Sequence, residues 1–201
     1  IKQLYHLIEK ENVTIATFPP SLVTLMPDFD FQAMDTLVVA GEKMLSSIIR
    51  KVSSAHYRLI NAYGPTENTV MSTMREITSE MACENIGKTI PGVVGHVLRS
   101  DLTSVEVGEI GELCLGGIQL TSGYLHRPEL NQEKFIKNPF DDKSEAPVLY
   151  KTGDLVRLME DGSYDFIGRK DTQVKFNGYR IELEEIAKAI EQCAGVVQAC
   201  V

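Results

Sequence analysis

Three short, strand-like runs, at 13–18, 36–41 and 57–64, the first of them β-branched and apolar and the second continuously apolar, set the tightest limit on the fold. Stretches of helical periodicity separate them. Ile1, Leu4, Tyr5 and Ile8 precede the first run at helical spacing. Pro19 and Pro20 end that run, and Pro20 opens a short helix carrying Leu22, Val23 and Leu25. A third helix is expected over 44–52. Strand, helix and strand at this spacing predict crossover units on a parallel sheet buried on both faces. Such sheets bind ligands at the carboxyl ends of their strands. Gly41-Glu42 and the segment 61–68, Asn-Ala-Tyr-Gly-Pro-Thr-Glu-Asn, fall at such ends.

From about Val70 to Ile167 the texture changes. Short strands, at 93–100, 111–117, 148–158 and 164–168, alternate with Gly- and Pro-rich turns. Asp161-Gly162 predicts a hairpin between the last two, and one helix is expected over 129–136. From Lys170 onward Asn177-Gly178 predicts a second hairpin. A helix over 182–193 follows, with Leu183, Ile186, Ala187 and Ile190 on its apolar face, and 196–201 reads as a strand. The expected fold class is α/β plus β: a parallel α/β sheet layer, then a small antiparallel β-barrel subdomain beside it, then the start of a small α+β C-terminal domain. The expected boundaries place part of a large N-terminal subdomain at 1–74, the barrel at 75–168, a hinge at 169–171 and the beginning of the C-terminal subdomain at 172–201.

Composition narrows the functions open to such a chain. A formal net charge of −8 over 201 residues argues against a nucleic-acid partner. None of the four cysteines forms a C-x-x-C pair, which suggests reduced thiols in a cytoplasmic protein. No apolar run reaches the roughly 18 residues needed to cross a bilayer, so no membrane partner is expected. With Ile1 inside a helical pattern and an unpaired apolar run at the other end, the chain reads as a piece of a longer protein.

Four stretches offer chemistry. In the first, Tyr63 presents a flat apolar face for an adenine ring, and Asn61 a donor and an acceptor for a purine edge. Gly64 lets backbone approach a phosphate, Thr66 supplies a hydroxyl, and Glu67 a hard oxygen ligand suited to Mg²⁺. The plainer alternative is a turn in which Pro65 fixes φ and Glu67 is solvated. In the second, Asp154 either takes two vicinal ribose hydroxyls or caps a turn after Gly153. The third, 111–135, reads as architecture. It offers no nucleophile or general base, His126 reads as a surface residue, and Gly116-Gly117 reads as a bend. In the fourth, Arg169, Lys170, Lys175 and Arg180 either gather an anion or balance the Glu-rich helix that follows.

Taken in order, the 61–68 segment, the 108–135 stretch, Tyr150-Lys151-Thr152-Gly153-Asp154-Leu155 and the 168–186 stretch resemble the core motifs of adenylate-forming enzymes. They are most similar to the amino-acid adenylation domains of nonribosomal peptide synthetases, from about residue 16 to near Cys193. The resemblance implies activation of an amino acid by Mg·ATP as an acyl-adenylate, then transfer to a carrier-protein phosphopantetheine thiol. It implies a peptidyl carrier domain and a condensation domain as partners. No protein nucleophile is needed, so catalysis would rest on positioning and charge neutralisation.

Residue by residue, the resemblance implies that Tyr63 stacks on adenine beside Phe166 and that Asn61 touches the adenine edge. Gly41, Glu42, Ala62 and Gly64 would line the nucleotide pocket of ATP or AMP. Thr66 would contact the α-phosphate, Glu67 would hold Mg²⁺, and Asp154 would bind the ribose. Arg169 would reach the ribose or phosphate. Asp171 would be the hinge, and Lys175 would approach the site in the thioester-forming pose. Thr17, Val38, Ala40, Ala62, Val70 and Met71 would fall at or near the acyl pocket, and their small or apolar character points to a neutral, apolar amino acid.

The departures are specific. The family's lysine-containing phosphate loop and its carboxylate-binding Asp would lie before Ile1, and its catalytic lysine beyond Val201, so the 201 residues alone are expected to be inactive. Thr121-Ser122 stands where the family usually places Ala-Arg. Asn177-Gly178-Tyr179-Arg180 resembles stand-alone D-alanine-activating relatives. The alternatives are an acyl- or aryl-CoA ligase, a D-alanine–carrier-protein ligase, and, in another class, a catalytically dead scaffold.

Overall fold

The computed structural model describes residues 1–26, 31–52, 56–78, 83–140, 146–176, 179–193 and 195–201, with backbone alone at 175, 176, 179, 180 and 184. Strands β1 (Ile15–Phe18), β2 (Thr36–Ala40) and β3 (Arg58–Tyr63) pair in parallel in that order. Helices α1 (Lys2–Lys10), α2 (Pro20–Leu25) and α3 (Ser46–Val52) carry the helical periodicities. Pro20 sits in the first turn of α2, where its missing N–H costs nothing. The ammonium of Lys51 caps the other end of that helix, donating to the carbonyls of Val23 at 2.9 Å, Thr24 at 3.0 Å and Met26.

Burial on both faces is not what forms among the described residues. Leu37 and Val39 of β2 are buried against Ile8, Val23 and Ile48, whereas Thr36, Val38 and Ala40 are half-exposed. Ile15 of β1 is 64% exposed. The cause is the strand order. Right-handed crossovers that step steadily from β1 to β2 to β3 put both connecting helices on one face. The opposite face carries Thr17, Val38, Ala40 and Ala62, with Thr17 opposite Val38 and Ala40 opposite Ala62 in register.

Beyond β3 the sheet turns antiparallel without a break. β4 (Thr73–Glu76) pairs with β3, and β5 (Asn85–Thr89) pairs with β4. β6 (Val93–Leu98), β7 (Ile110–Gly117), β9 (Val148–Leu158) and β10 (Tyr164–Arg169) complete one ten-stranded sheet of order β1-β2-β3-β4-β5-β10-β9-β7-β6. The tenth strand, β8 (Phe135–Lys137), pairs with β9. Strands β5, β6, β7, β9 and β10 share one apolar interior of Ile86, Val93, Val97, Leu113, Leu115, Val156 and Tyr164. No pairing closes β6 onto β5 among the described residues, so this half is a barrel-like wrap within an open sheet. Gly162, at φ +78, makes the expected hairpin between β9 and β10, with Asp161 accepting from Ser163 N at 2.9 Å.

Three further expectations meet the structure here. Helix α4 (Pro128–Lys134) ends two residues before the expected limit, because Phe135 and Ile136 leave it to pair in β8. Phe135 packs there on Tyr150 and Tyr124, with centroids at 5.1 and 5.6 Å, and that burial outweighs helix propensity. β11 (Val174–Phe176) and β12 (Tyr179–Ile181) form the second hairpin ahead of α5 (Leu183–Glu191), although its Asn177-Gly178 turn lies outside the described residues. The 196–201 run is irregular backbone rather than a strand.

Candidate active site

The carboxyl end of β3 is the focus. Asn61, Ala62 and Tyr63 end the strand, Gly64 and Pro65 turn the chain, and Thr66–Asn68 form one 3₁₀ turn. Thr69 and Val70 then take left-handed conformations, at φ 43° and 68°. For the β-branched Val70 this is strained backbone, and strain of this kind gathers at ligand sites. Gly64 is needed by the loop itself. A Cβ there would stand 2.6 Å from Val70 O and 2.7 Å from Ser72 N. A close approach was expected toward a phosphate, but the one visible is between two parts of the same loop.

Strand β9 brings Asp154 opposite Tyr63. The carboxylate is 6% exposed; its Oδ2 accepts from the Tyr63 hydroxyl and its Oδ1 from Arg169 Nη1 at 2.8 Å. Asp154 therefore does not cap a turn. It lies inside an eleven-residue strand, where Gly153 takes φ +75 and breaks the register. Gly153 N donates to Glu112 Oε1 at 3.1 Å, and Asp154 N to Thr152 Oγ1 at 3.0 Å. Burial first, then the charge of Asp154, push the Tyr63 phenol well above its usual range.

Arg169 joins this group to the segment that follows β10. Its Nε and Nη2 donate to Asp171 Oδ1 and Oδ2, each at 2.6 Å, a two-point grip beside the bond to Asp154. Burial opposes the charge on Arg169, but Asp171 and Asp154 together outweigh it and raise its pKa. Asp171, against its own burial, is held below the usual carboxylate range by Arg169. Lys170 pairs with Glu112 at 3.6 Å. Among the described side chains Arg169 and Lys170 thus pair with Asp154, Asp171 and Glu112 rather than with the glutamates of α5, the default expected for this charge run; the side chains of Lys175, Arg180 and Glu184 lie outside the described residues.

Gly41, Glu42, Asn61, Ala62, Tyr63, Gly64, Asp154, Phe166 and Arg169 all line one cavity of about 250 Å³. The Tyr63 and Phe166 rings, both on its wall, form a tilted pair with centroids 6.3 Å apart at 42°. Glu42 accepts from Ser21 N and Oγ at 2.9 and 3.0 Å, tying the cavity to α2. Asn61 Nδ2 donates to Asn85 O at 2.9 Å. An adjoining cavity of about 310 Å³ is lined by Thr17, Ala40, Thr66, Val70, Asp154 and Arg169. Of the expected acyl-pocket residues, Val38 and Met71 line neither cavity, and Ala62 lines the first. Gln173, 5% exposed and donating to Glu182, lines both cavities and was not foreseen.

Glu67 is 6% exposed rather than solvated, and Tyr124 donates to its Oε1. That leaves Tyr150 to donate across the 3.3 Å contact between the two phenols. Burial, then Glu67, raise the Tyr124 pKa above the ordinary phenol range, so it is a donor at neutral pH. Sequence reasoning had placed this tyrosine in architecture. A tyrosine followed by Leu-His-Arg-Pro carries no sign of a partner 57 positions away.

Comparison with known proteins agrees with this geometry. The chain belongs to the AMP-binding enzyme family, which it matches over residues 1–125. Within that family its relatives and its fold are those of adenylation domains of nonribosomal peptide synthetases. It is 41% identical over 199 residues to one component of the linear gramicidin synthase of Brevibacillus parabrevis, covering 99% of this chain and 4% of that protein. It superposes with a TM-score of 0.83 and 25% identity on an artificially fused adenylation–PCP di-domain, NpsA-ThdA from Klebsiella oxytoca, over 98% of this chain and 38% of that one. It also resembles the Vibrio cholerae adenylation domain AlmE, solved with glycyl-adenosine-5′-phosphate, at a TM-score of 0.81 and 26% identity over 97% and 38% of the two chains. The chain thus spans well under half the length of each of these proteins.

Proposed function

We propose that the protein uses Mg·ATP to activate a neutral, apolar amino acid as its adenylate and then passes the acyl group to a carrier-protein phosphopantetheine thiol. The observation that carries this reading is the convergence of Tyr63, Phe166, Asp154 and Arg169 on one cavity at the end of β3. Tyr63 and Phe166 hold the adenine, Asn61 meets its edge, and Asp154 receives the ribose hydroxyls. Thr66 donates to the α-phosphate. Arg169 pairs with Asp154 and offers positive charge beside the ribose. None of these groups attacks the substrate, so rate comes from position and electrostatics.

The residues present also fit a Mg²⁺ ion. Among the described residues no cluster of three His, Cys, Asp or Glu forms a cage. Mg²⁺ is commonly held by one or two carboxylates together with substrate phosphates, and Glu67, which lines neither cavity itself but is buried next to the cavity-lining Thr66, is the carboxylate that would take that role. When bound, the ion would neutralise phosphate charge.

The division at 1–74, 75–168, 169–171 and 172–201 belongs to the same proposal, with Asp171 as hinge and Lys175 entering for thioester formation. The 74/75 limit falls within β4. Partner carrier and condensation domains are part of the reading, and the four free cysteines suit a reducing, cytoplasmic setting. No described helix is long and apolar enough to cross a membrane.

ATP–pyrophosphate exchange by the full natural chain carrying these residues, run against amino, fatty and aryl acids, tests the proposal. Exchange driven by an apolar amino acid is expected. Efficient activation of Asp, Glu, Lys or Arg would overturn the substrate class, and exchange with only a fatty or aryl acid would move the chain to the ligase branch. Residues 1–201 expressed alone are expected to give no amino-acid-dependent exchange, because the family's phosphate loop and C-terminal lysine have no match among them. Measurable exchange by that piece would refute this.

A further inference from the structure

The segment from Gly117 to Tyr124 folds tightly against the loop that carries Glu67. Thr121 N donates to Glu67 O at 2.8 Å. Gln119 Nε2 donates to Asn68 O at 2.9 Å and Met71 O at 2.8 Å, and Thr69 Oγ1 returns a bond to Gln119 O at 2.7 Å. Tyr124 completes the contact with a bond to the Glu67 side chain itself. Most of these bonds set the loop's path, whereas the bond from Tyr124 sets the direction of the carboxylate.

We propose that Tyr124 is a positioning residue that aims the Glu67 carboxylate at the cation of the nucleotide site. This rests on the reading of Glu67 as that cation's ligand. A ligating carboxylate works best when another hydrogen bond fixes its rotamer, since only then is one orientation presented to the ion. Tyr124 is itself rigid enough to do this. Asn131 Oδ1 accepts from Tyr124 N at 2.7 Å, and Asn131 Nδ2 donates to Tyr124 O at 2.9 Å. The ring packs edge-on against Phe135, and the Tyr150 hydroxyl lies 3.3 Å from its own. The preceding Gly123 takes φ +128, and a Cβ there would stand 2.8 Å from Asn131 Oδ1. Every atom that aims the hydroxyl is thus held from outside the loop it serves.

The test uses the full natural chain and Mn²⁺ as the probe, followed by electron paramagnetic resonance in the presence of an α,β-methylene ATP analogue. Tyr124→Phe keeps the ring and removes only the hydroxyl. Its Mn²⁺ dissociation constant is expected to rise about tenfold, while metal-free AMP binding and the melting temperature hold. Glu67→Gln should weaken Mn²⁺ as well, and the double variant should be no weaker than Glu67→Gln alone. If Glu67→Gln weakens Mn²⁺ but Tyr124→Phe does not, Tyr124 has no such role and the reading of Glu67 survives. If Glu67→Gln has no effect, both fall. If Tyr124→Phe weakens AMP and Mn²⁺ equally, or loses its fold, Tyr124 is a general brace and the proposal is overturned.

Discussion

Asp154→Ala in the full natural chain is expected to lower AMP affinity, and pyrophosphate exchange with it, by about a hundredfold or more. The carboxylate would accept two ribose hydroxyls, and charge-assisted bonds contribute about 1.5–3 kcal/mol each. At about 1.4 kcal/mol per factor of ten, two such bonds account for the loss. The substitution also strips the acceptor from the Tyr63 hydroxyl and from Arg169 Nη1. Leaving a buried donor unmet costs about 1–3 kcal/mol, so the melting temperature should fall too. Asp154→Asn separates the two effects, since it keeps the shape and loses the charge. Calorimetric titration with AMP decides the matter, and affinity within a few-fold of wild type for Asp154→Ala would remove Asp154 from the ribose.

Gly87→Ala is expected to have the largest effect on stability, about 3–5 kcal/mol, in the range seen where strain and a steric clash act together. Gly87 takes φ +82, and a Cβ there would stand 1.9 Å from the carbonyl oxygen of Met74. That oxygen belongs to the backbone of β4 and cannot swing aside as a side chain would. The strands must part at the antiparallel β4–β5 pairs Thr73↔Thr89 and Met74↔Lys88. Gly108→Ala is the control. Its φ is +89 but nothing lies within 4 Å of the new Cβ, so only the left-handed strain of about 1–2 kcal/mol remains. Equal losses in denaturant titrations of the two variants would show that the contact at Gly87 does not matter.

What was legible in the sequence follows from burial and strand order. The runs that became β1 and β2 are rich in β-branched and apolar residues, and β3 follows them at the same spacing, so the parallel layer could be read. The residues that line the cavity were readable because strand ends concentrate binding groups and because Asp154, Arg169 and the 61–68 loop lie in ordered motifs. The strands that join the halves left no such trace. Thr73–Glu76 and Asn85–Thr89 are mostly polar and are held by backbone pairing and by Asn85, which donates to Ser163 Oγ at 2.9 Å and Asp165 Oδ1 at 2.7 Å. Periodicity cannot report a strand whose partners are main chain. The one-sided burial of β2 was hidden for a different reason, since Thr36, Val38 and Ala40 look as strand-like as Leu37 and Val39. The role of Tyr124 depended on a contact across 57 positions, which local pattern does not encode.

The way the Glu67 loop is fastened has a consequence for how this scaffold can change. Gln119 and Thr121 hold it through the main chain at Glu67, Asn68 and Met71. The side chains of Val70 and Met71 take no part in those bonds. Either can be exchanged without loosening the turn that carries the acid, and at Val70, 70% exposed at a positive φ, glycine or asparagine would even relax the backbone. The turn's shape is thereby inherited through the backbone, and if Val70 belongs to the acyl pocket as proposed, selectivity can be varied there by point mutation without rebuilding the machinery beneath it.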